Sequence, residues 1–340
     1  MSDTTEHGPR PKTDARRPLG TWSTVGTWLE DEVGAPLIRQ VLTGAGMAPE
    51  ALPLLRNIPV GRLLQGKEAM IDDLASSANV GRSGRAPRPG ALRWTPGRFA
   101  GKTAIVTGAA SGIGRATATR IALEGGRVVA VDLSADGLDG LVQELDGHDV
   151  VPLAADITSQ DDVDRVVAAA DGRVDALGNV AGLSDDFTAV HELRDEMLER
   201  VFEVNVFGPI RLMRAVVPLM MAARRGSVVN VASEAALRGS SSGAAYTASK
   251  HAVVGLTRSS AFMYEPFGIR VNSVAPGGTL TGMRPPQVDG WGPERVRSHS
   301  ADVPVALPEQ LAASISFLLS DDAGNVTGAV LPSDGGESVF

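Results

Sequence analysis

Residues 103–118, TAIVTGAASGIGRATA, contain the pattern that decides the fold of this chain. A short apolar run leads straight into a glycine-rich turn, and a helical pattern follows at once. Gly108 would permit the tight turn, Gly112 would let the backbone approach a pyrophosphate, and Gly114 would let helix and strand pack closely. The phosphates would lie at the helix N-terminus, where free N–H groups and the dipole favour negative charge. The stretch predicts a dinucleotide-binding turn, whereas a glycine triplet alone is also compatible with an ordinary tight turn.

The chain after Gly101 repeats this alternation of β-branched runs and helical patterns, which is typical of a parallel sheet covered by helices. Strands are predicted at residues 103–107, 127–132, 150–154, 175–181, 226–232, 269–275 and 328–334. Helices are predicted near residues 112–125, 136–146, 160–171, 194–223, 246–265 and 308–320. Residues 98–340 are therefore predicted to form one α/β domain with a Rossmann-type, doubly wound, seven-stranded parallel sheet flanked by helices.

Residues 1–97 break this pattern and are predicted to form an N-terminal extension and linker, mostly helical or irregular. They contain weak helical patterns at 23–46 and 66–79, and a stretch rich in Arg, Pro and Gly at 81–98. Three of the four tryptophans lie here, at positions 22, 28 and 94. A disordered tail rarely carries so much apolar surface, so part of the extension is expected to be packed.

The composition restricts the classes of function. An apolar fraction of 43% and a charged fraction of 21% are those of a soluble globular protein. The absence of cysteine excludes disulfides, thiolate catalysis and cysteine-based metal sites, and the five histidines lack ligand spacing, so no metal is expected. The first twenty residues lack the apolar run of a signal peptide, and no apolar run is long enough to span a bilayer. These features predict a cytoplasmic protein without a membrane partner.

A basic stretch between Arg82 and Arg98 is the one pattern that suggests nucleic acid. The chain as a whole has a net charge of −8, and the excess of acids lies after this stretch. A solvated or self-docking linker is the favoured interpretation, and no nucleic-acid partner is expected.

Asp132 ends the second predicted strand, eighteen residues after Gly114. An acid at that position can hydrogen-bond the ribose hydroxyls of a dinucleotide. Its charge would repel a 2′-phosphate, and neither Ser111 nor Leu133 supplies a compensating cation, so NAD is favoured over NADP. An aspartate that only caps a turn is the alternative.

Tyr246 and Lys250 lie four residues apart in SSGAAYTASKHAVVG, residues 241–255, and would be neighbours on a helix. Taken alone, the pair is equally compatible with a core ring beside a solvated charge. Ser233 ends a predicted strand thirteen residues before Tyr246. A hydroxyl, a phenol and an ammonium group that follow a dinucleotide-binding turn point instead to acid/base chemistry on a carbonyl or an alcohol.

Read in order, TGAASGIG, Asp132 and YTASK make residues 99–336 resemble the short-chain dehydrogenase/reductase family. The resemblance implies a nicotinamide cofactor and the interconversion of alcohols and carbonyls. Asp156 and Ile157 resemble the pair that contacts the adenine. GNVAG resembles an Asn-Asn-Ala-Gly segment, with Val180 in place of the second asparagine. The implied cofactor-binding residues are Gly108, Ser111, Gly112, Ile113, Gly114, Asp132, Leu133, Asp156, Ile157, Asn179, Ala181, Gly182, Tyr246, Lys250, Pro276, Gly277, Thr279 and Thr281.

The resemblance also implies four catalytic residues, Asn205, Ser233, Tyr246 and Lys250. Ser233 would hold the substrate oxygen, and Tyr246 would transfer its proton. Lys250, together with the positive nicotinamide, would lower the pKa of Tyr246 and bind the ribose. Asn205 would position a water behind Lys250.

Residues 278–307 are predicted to form a long loop, which in this family covers the substrate. Apolar contacts could come from Met283, Val288 and Trp291, and an anionic substrate could meet Arg284, Arg295 and Arg297. A polar surface loop is an equal alternative.

Several functions remain open at this point. An NAD(H)-dependent oxidoreductase for a secondary alcohol and its ketone is favoured. The alternatives are an NADP(H)-dependent 3-oxoacyl-thioester reductase, a cis-dihydrodiol-type dehydrogenase and a catalytically silent NAD-binding scaffold that uses the extension to hold a partner. The resemblance further implies a homodimer or homotetramer formed through helices 194–223 and 246–265.

Overall fold

The computed structural model describes residues 18–21, 23–52, 55–56, 58–79, 93–283, 288–298 and 305–339. The chain forms two compact units, Met1–Ala91 and Leu92–Phe340. Trp22, Arg82, Arg85, Arg88 and Arg284, which the sequence singled out, lie outside the described residues.

The first unit is a small helical cluster. Its helices are α1 (Val25–Leu29), α2 (Gly34–Gly44), α3 (Val60–Leu63) and α4 (Glu68–Ala78). Trp28, Ile38, Leu42 and Ile71 are fully buried in one apolar core. The indole Nε1 of Trp28 donates a hydrogen bond to the carbonyl of Gly20, which satisfies its only polar atom. The extension therefore has a core of its own.

The second unit contains the predicted parallel sheet. Its strands are β1 (Thr103–Thr107), β2 (Arg127–Asp132), β3 (Val150–Ala154), β4 (Ala176–Asn179), β5 (Gly226–Val231), β6 (Ile269–Pro276) and β7 (Val330–Ser333). All neighbours pair in parallel, in the order β3-β2-β1-β4-β5-β6-β7. Every residue of β1 is buried, as expected for a strand covered on both faces. The predicted fold class is confirmed.

Helices cover both faces of this sheet. They are α5 (Gly112–Leu123), α6 (Ala135–Glu144), α7 (Gln160–Ala168), α8 (Asp195–Phe202), α9 (Gly208–Ala223), α10 (Ala244–Tyr264), α11 (Trp291–Arg297) and α12 (Pro308–Leu319). One core lies between the sheet and α5, α6 and α12, around Ile121, Leu141 and Ile315. The other lies under α7, α9 and the C-terminal part of α10, around Val166 and Leu212.

The predicted helix 194–223 contains an irregularity. Between α8 and α9 the chain makes a π-helical turn, Glu203–Phe207, and Pro209 follows in the first turn of α9. Such turns are frequent at functional sites. The whole helix is long and apolar enough to cross a membrane, but Leu212, Val216 and Met220 are fully buried against the sheet.

Helix α11 was not predicted, because its segment was expected to be loop. Gly290, Gly292 and Pro293 mask the helical pattern in the sequence. The turn is supported from far along the chain, since the carboxylate of Glu192 accepts hydrogen bonds from the N–H groups of Trp291 and Gly292 at 2.7 and 2.9 Å.

The strand order reverses beside β1, between β2 and β4, where ligands of open α/β sheets bind. The hydroxyl of Thr107, at the end of β1, accepts hydrogen bonds from the N–H groups of Val180 and Ala181, both at 3.0 Å. This fixes the segment after β4 beside the glycine-rich turn.

Candidate active site

A cavity of about 520 Å³ lies at the carboxyl ends of the strands. Its lining includes every predicted site residue except Asn179 and Asn205. The residues that the sequence placed in three separate motifs therefore meet in one place.

The glycine-rich turn forms one end of the cavity. Gly108 and Gly112 have positive φ values of 70° and 53°, which only glycine adopts without strain. A Cβ on Gly114 would overlap the carbonyl of Gly108, and one on Gly112 would lie 3.2 Å from Thr281. Ser111 begins α5 without a side-chain cap, so the first N–H groups of this helix remain available to an anion. The turn has the shape that a pyrophosphate needs.

Asp132 lies at the end of β2 beside this turn. Its Oδ2 accepts a hydrogen bond from Ala110 N and its Oδ1 accepts one from Ser134 N, both at 3.0 Å. It thus supports the local turn, as the simpler interpretation proposed. Each carboxylate oxygen can accept a further hydrogen bond, so the same group can also hold ribose hydroxyls.

Residues from the ends of three strands continue the lining. Asp156 and Ile157 follow β3, Ala181 and Gly182 follow β4, and Leu133 follows β2 with 73% of its surface exposed. Asn179 lies behind the cavity instead, where its Nδ2 donates to Oδ1 of Asn230 at 2.8 Å. Its buried position braces β4 against β5.

The segment after β6 also lines the cavity, and its Thr281 lies beside Gly112 of the glycine-rich turn. Pro276, Gly277, Thr279 and Thr281 all line the cavity. The hydroxyl of Thr279 donates to the carbonyl of Gly277 at 3.0 Å, which holds the segment in a tight turn. A Cβ on Gly277 would lie 2.8 Å from the Cα of Asp334, so only glycine allows this close approach.

The predicted acid/base residues converge from two elements. Ser233 follows β5, and its Oγ accepts a hydrogen bond from Ala235 N at 3.1 Å. Tyr246 and Lys250 project from the first two turns of α10, and Tyr246 is hydrogen-bonded to Ser233. The Nζ of Lys250 lies 5.3 Å from the centre of the Tyr246 ring and donates to the carbonyl of Val231 at 2.9 Å.

The electrostatics of Tyr246 differ from the prediction. Burial raises the pKa of Tyr246 to about 12, partly offset by the hydrogen bond with Ser233 and increased by the charges of Asp185 and Glu234. The chain's own residues therefore keep the phenol protonated, and Lys250 alone does not lower its pKa. The predicted lowering would have to come from a positive charge bound with the cofactor.

Lys250 is almost fully buried, and this burial lowers its pKa to about 8. Its ammonium group can therefore give up a proton near neutral pH. Between pH 8 and 10 the folded state has released this proton while the unfolded chain still holds it, so stability should rise with pH.

We expect this rise to disappear in Lys250→Met. A pKa that falls from 10.5 to about 8 corresponds to about 3 kcal/mol in the free energy of unfolding. Urea unfolding at pH 7, 8, 9 and 10 measures the free energy of unfolding of the wild type and the variant. Lys102→Met, which removes a partly exposed lysine of the same unit, is the control and should keep the rise. Parallel curves for the wild type and Lys250→Met would contradict the expectation.

Asn205 lies in the π-helical turn but does not line the cavity. Its Oδ1 accepts a hydrogen bond from Leu183 N at 2.8 Å, and its Nδ2 donates to Leu183 O and Ser249 Oγ at 2.9 and 3.1 Å. The side chain thus joins the segment after β4 to α10. The predicted contact of Asn205 with a water stays a prediction.

The substrate end contains residues that the sequence reasoning missed. Leu183, Phe187, Arg200, Val204 and Glu234 line the cavity, together with Ser184, Ser241 and Ser242. Glu234 follows Ser233 directly, and Arg200 and Val204 are four residues apart, so adjacency and helical spacing could have found these three. Phe187 gives no local signal.

Residues of the predicted substrate loop divide into two groups. Met283 lines the cavity, whereas Val288, Trp291, Arg295 and Arg297 do not. Trp291 is 63% exposed and lies beside His191, with ring centres 6.2 Å apart. Contact of these four residues with a substrate stays a prediction.

Comparisons with known proteins agree with this geometry. A family model described as short chain dehydrogenase matches residues 102–290. The chain is 38% identical over 254 residues to 3β-hydroxysteroid dehydrogenase 2 of Eggerthella lenta, which covers 71% of this chain and 96% of that protein. The chain belongs to the short-chain dehydrogenase family. The match of the family model begins at residue 102, so the N-terminal extension lies outside it.

Two solved structures of short-chain dehydrogenases show the same fold. A protein described as an NAD(P)-dependent gluconate 5-dehydrogenase from Beutenbergia cavernae, with bound NADP, aligns with a TM-score of 0.63 at 33% identity, over 72% of this chain and all of that chain. A 3-ketoacyl-(acyl-carrier-protein) reductase from Brucella melitensis, complexed with NADH, aligns with a TM-score of 0.63 at 32% identity, over 70% of this chain and 99% of that chain. A nicotinamide cofactor is supported for this short-chain dehydrogenase.

Proposed function

We propose that this protein is a cytoplasmic NAD(H)-dependent oxidoreductase that interconverts a secondary alcohol and a ketone. The observation that carries the proposal is the convergence of Ser233, Tyr246 and Lys250 on a cavity whose other end is the glycine-rich turn. A site with both features can hold a dinucleotide and a carbonyl oxygen side by side.

Each residue has a defined task in this reaction. A bound nicotinamide would accept the hydride of the alcohol or supply it to the ketone. The Ser233 hydroxyl holds the substrate oxygen. The phenol oxygen of Tyr246 takes the hydroxyl proton during oxidation and returns it during reduction. Lys250, with its pKa lowered to about 8, can exchange a proton near neutral pH.

The preference for NAD over NADP rests on Asp132. Its carboxylate would lie beside the adenosine ribose and would repel a 2′-phosphate. The nearest cation along the chain after the turn, Arg115, does not line the cavity. Its guanidinium donates hydrogen bonds to the carboxylate of Glu144 at 2.8 Å and to the carbonyls of Ala110 and Gly137.

The substrate end suits a largely apolar alcohol. Leu183, Phe187, Val204 and Met283 supply apolar walls, and Glu234 adds one buried carboxylate. Burial raises the pKa of Glu234, and the ion pair with Arg238 at 2.8 Å opposes this shift. The related 3β-hydroxysteroid dehydrogenase is consistent with an apolar ring alcohol as the substrate class.

The proposal is tested by binding and turnover on purified protein. Titration with NADH and NADPH, followed by tryptophan fluorescence, should show tighter binding of NADH. A panel of cyclic secondary alcohols and ketones should include at least one substrate that is turned over. Tight NADH binding without turnover on any compound would favour a silent scaffold, and a clear preference for NADPH with acyl thioesters would favour a 3-oxoacyl reductase.

We also propose a homo-oligomer. A cleft between α9 and α10 is lined by apolar residues that include Met213, Val217 and Leu256, and the long helices would pair across it. Light scattering after size exclusion should give a dimer or a tetramer, and a monomer at micromolar concentration would exclude this assembly.

A further inference from the structure

A buried carboxylate outside the cavity lining contacts the helix that bears the proposed acid/base. Asp185 has no exposed surface and does not line the cavity. It lies in the segment that follows β4, well away in sequence from α10. No motif in the sequence pointed to it.

The hydrogen bonds of Asp185 cap α10. Its Oδ2 accepts from the backbone N–H of Tyr246 at 2.8 Å, and its Oδ1 accepts from Ser242 Oγ at 3.0 Å and Gly243 N at 3.2 Å. Gly243, the residue before the helix, has no side chain with which to form a cap. Asp185 thus does from a distance what a local Ser or Asp would normally do.

Gly243 and Phe187 both lie in close contact with the carboxylate of Asp185. A Cβ on Gly243 would lie 2.6 Å from Asp185 Oδ2, so only glycine fits there. Phe187, which lines the substrate end, has a positive φ of 66°, a costly conformation for a bulky residue. Its N–H donates to Asp185 Oδ1 at 3.1 Å, which helps to hold it there.

The segment that carries Asp185 is itself fixed. Asn205 holds both the N–H and the carbonyl of Leu183, two residues earlier. Asn205 also donates to Ser249, whose hydroxyl donates to the carbonyl of Tyr246 at 2.7 Å. The backbone N–H of Tyr246 is therefore bonded directly to the segment after β4, and its carbonyl is connected to the same segment through Ser249 and Asn205.

We propose that Asp185 is a positioning residue for this reaction, because its carboxylate holds the backbone of Tyr246 and sets the charge around its phenol. The proposal rests on the function proposed for Tyr246. A neutral side chain at this position would remove the charge and would offer fewer acceptor oxygens to the start of α10.

Among the described residues, three charged groups face Tyr246, and removing the charge of Asp185 should change the pKa of the phenol measurably. They are Lys250 on the same helix, Glu234 after β5 and Asp185 after β4. The negative charge of Asp185 contributes to the raised pKa of Tyr246. Its removal should therefore make Tyr246 ionise at lower pH.

The first experiment observes Tyr246 without turnover. The chain has only two tyrosines, so Tyr264→Phe leaves Tyr246 as the sole tyrosine. In that background, NMR titration of ¹³Cζ-labelled tyrosine should show earlier ionisation in Asp185→Asn. Asp185→Ser, a neutral residue that also caps helices, should shift in the same direction and serves if the first variant does not fold.

The matched control is Asp186→Asn. Asp186 is an equally buried neighbouring acid, but it bonds Thr188 at 2.6 Å and Arg194 at 3.3 Å and does not contact α10 through these bonds. The variant Asp186→Asn should leave the titration of Tyr246 unchanged. An unchanged titration in both neutral variants of Asp185, or an equal shift in Asp186→Asn, would overturn the proposal.

The second experiment measures alcohol oxidation against pH. In Asp185→Asn the rise of kcat with pH should move to lower pH, and kcat at its plateau should fall about tenfold because the phenol is less well placed. A profile that keeps the wild-type midpoint would contradict the proposal. Absence of turnover in the wild type, with the NMR shift intact, would instead refute the proposed function.

Discussion

Tyr246→Phe is expected to remove nearly all turnover and to leave cofactor binding intact. The substitution deletes one oxygen atom, the one that we propose takes and returns the substrate proton. A positioned acid/base typically contributes about 10²–10⁴ to the rate, so kcat should fall by that factor. The ring remains in place above Lys250, and the glycine-rich turn is far along the cavity, so the Kd for NADH should change little.

Tyr264→Phe is the matched control for this variant. Tyr264 is the only other tyrosine, it ends the same helix, and it lies outside the cavity. Both variants should show the same circular dichroism spectrum and closely similar melting temperatures. If Tyr246→Phe keeps the wild-type kcat, Tyr246 has only a structural role in the core.

Asp132→Asn is expected to change the cofactor preference. The variant keeps an oxygen that can accept hydrogen bonds but loses the charge that would repel a 2′-phosphate. Two like charges about 4 Å apart interact by about 1–4 kcal/mol between bulk water and the protein surface, so the ratio of the Kd values for NADPH and NADH should fall at least about fivefold. Calorimetric titration of both cofactors measures the ratio.

Asp136→Asn controls for the loss of one negative charge. Asp136 lies four residues later in the first turn of α6, is exposed, and does not line the cavity. It should leave the ratio unchanged at 150 mM salt, where exposed charges are screened beyond about 8 Å. Tighter binding of NADPH than of NADH by the wild type would by itself contradict the preference for NAD that was inferred from Asp132.

The local patterns of the sequence predicted much of this molecule correctly. Strand and helix positions in residues 98–340 follow from hydrophobic periodicity and from glycine, because both act within a few residues. The order of Gly114, Asp132, Ser233 and Tyr246 along the chain carried the family resemblance, and the fold brings all four residues to one cavity, because the carboxyl ends of parallel strands meet at one edge of a sheet.

The errors lie where distant segments act on each other. Helix α11 was missed because Glu192, about a hundred residues earlier, supports its first turn. The sequence also did not show that Asn179 and Asn205 make hydrogen bonds with Asn230, Leu183 and Ser249. Which atoms a polar side chain reaches depends on packing that no local pattern records.

The pKa of Tyr246 shows most clearly which properties are local to the sequence and which depend on the fold. Residue types and spacing are local properties, and they identified Tyr246 and Lys250 as a pair from the sequence alone. The pKa of a phenol depends on its burial and on every charge around it, and these come from β5, from α10 and from the segment after β4. Folding brings Asp185 to the backbone of Tyr246 across 61 residues, so its influence on the reaction emerges only in three dimensions.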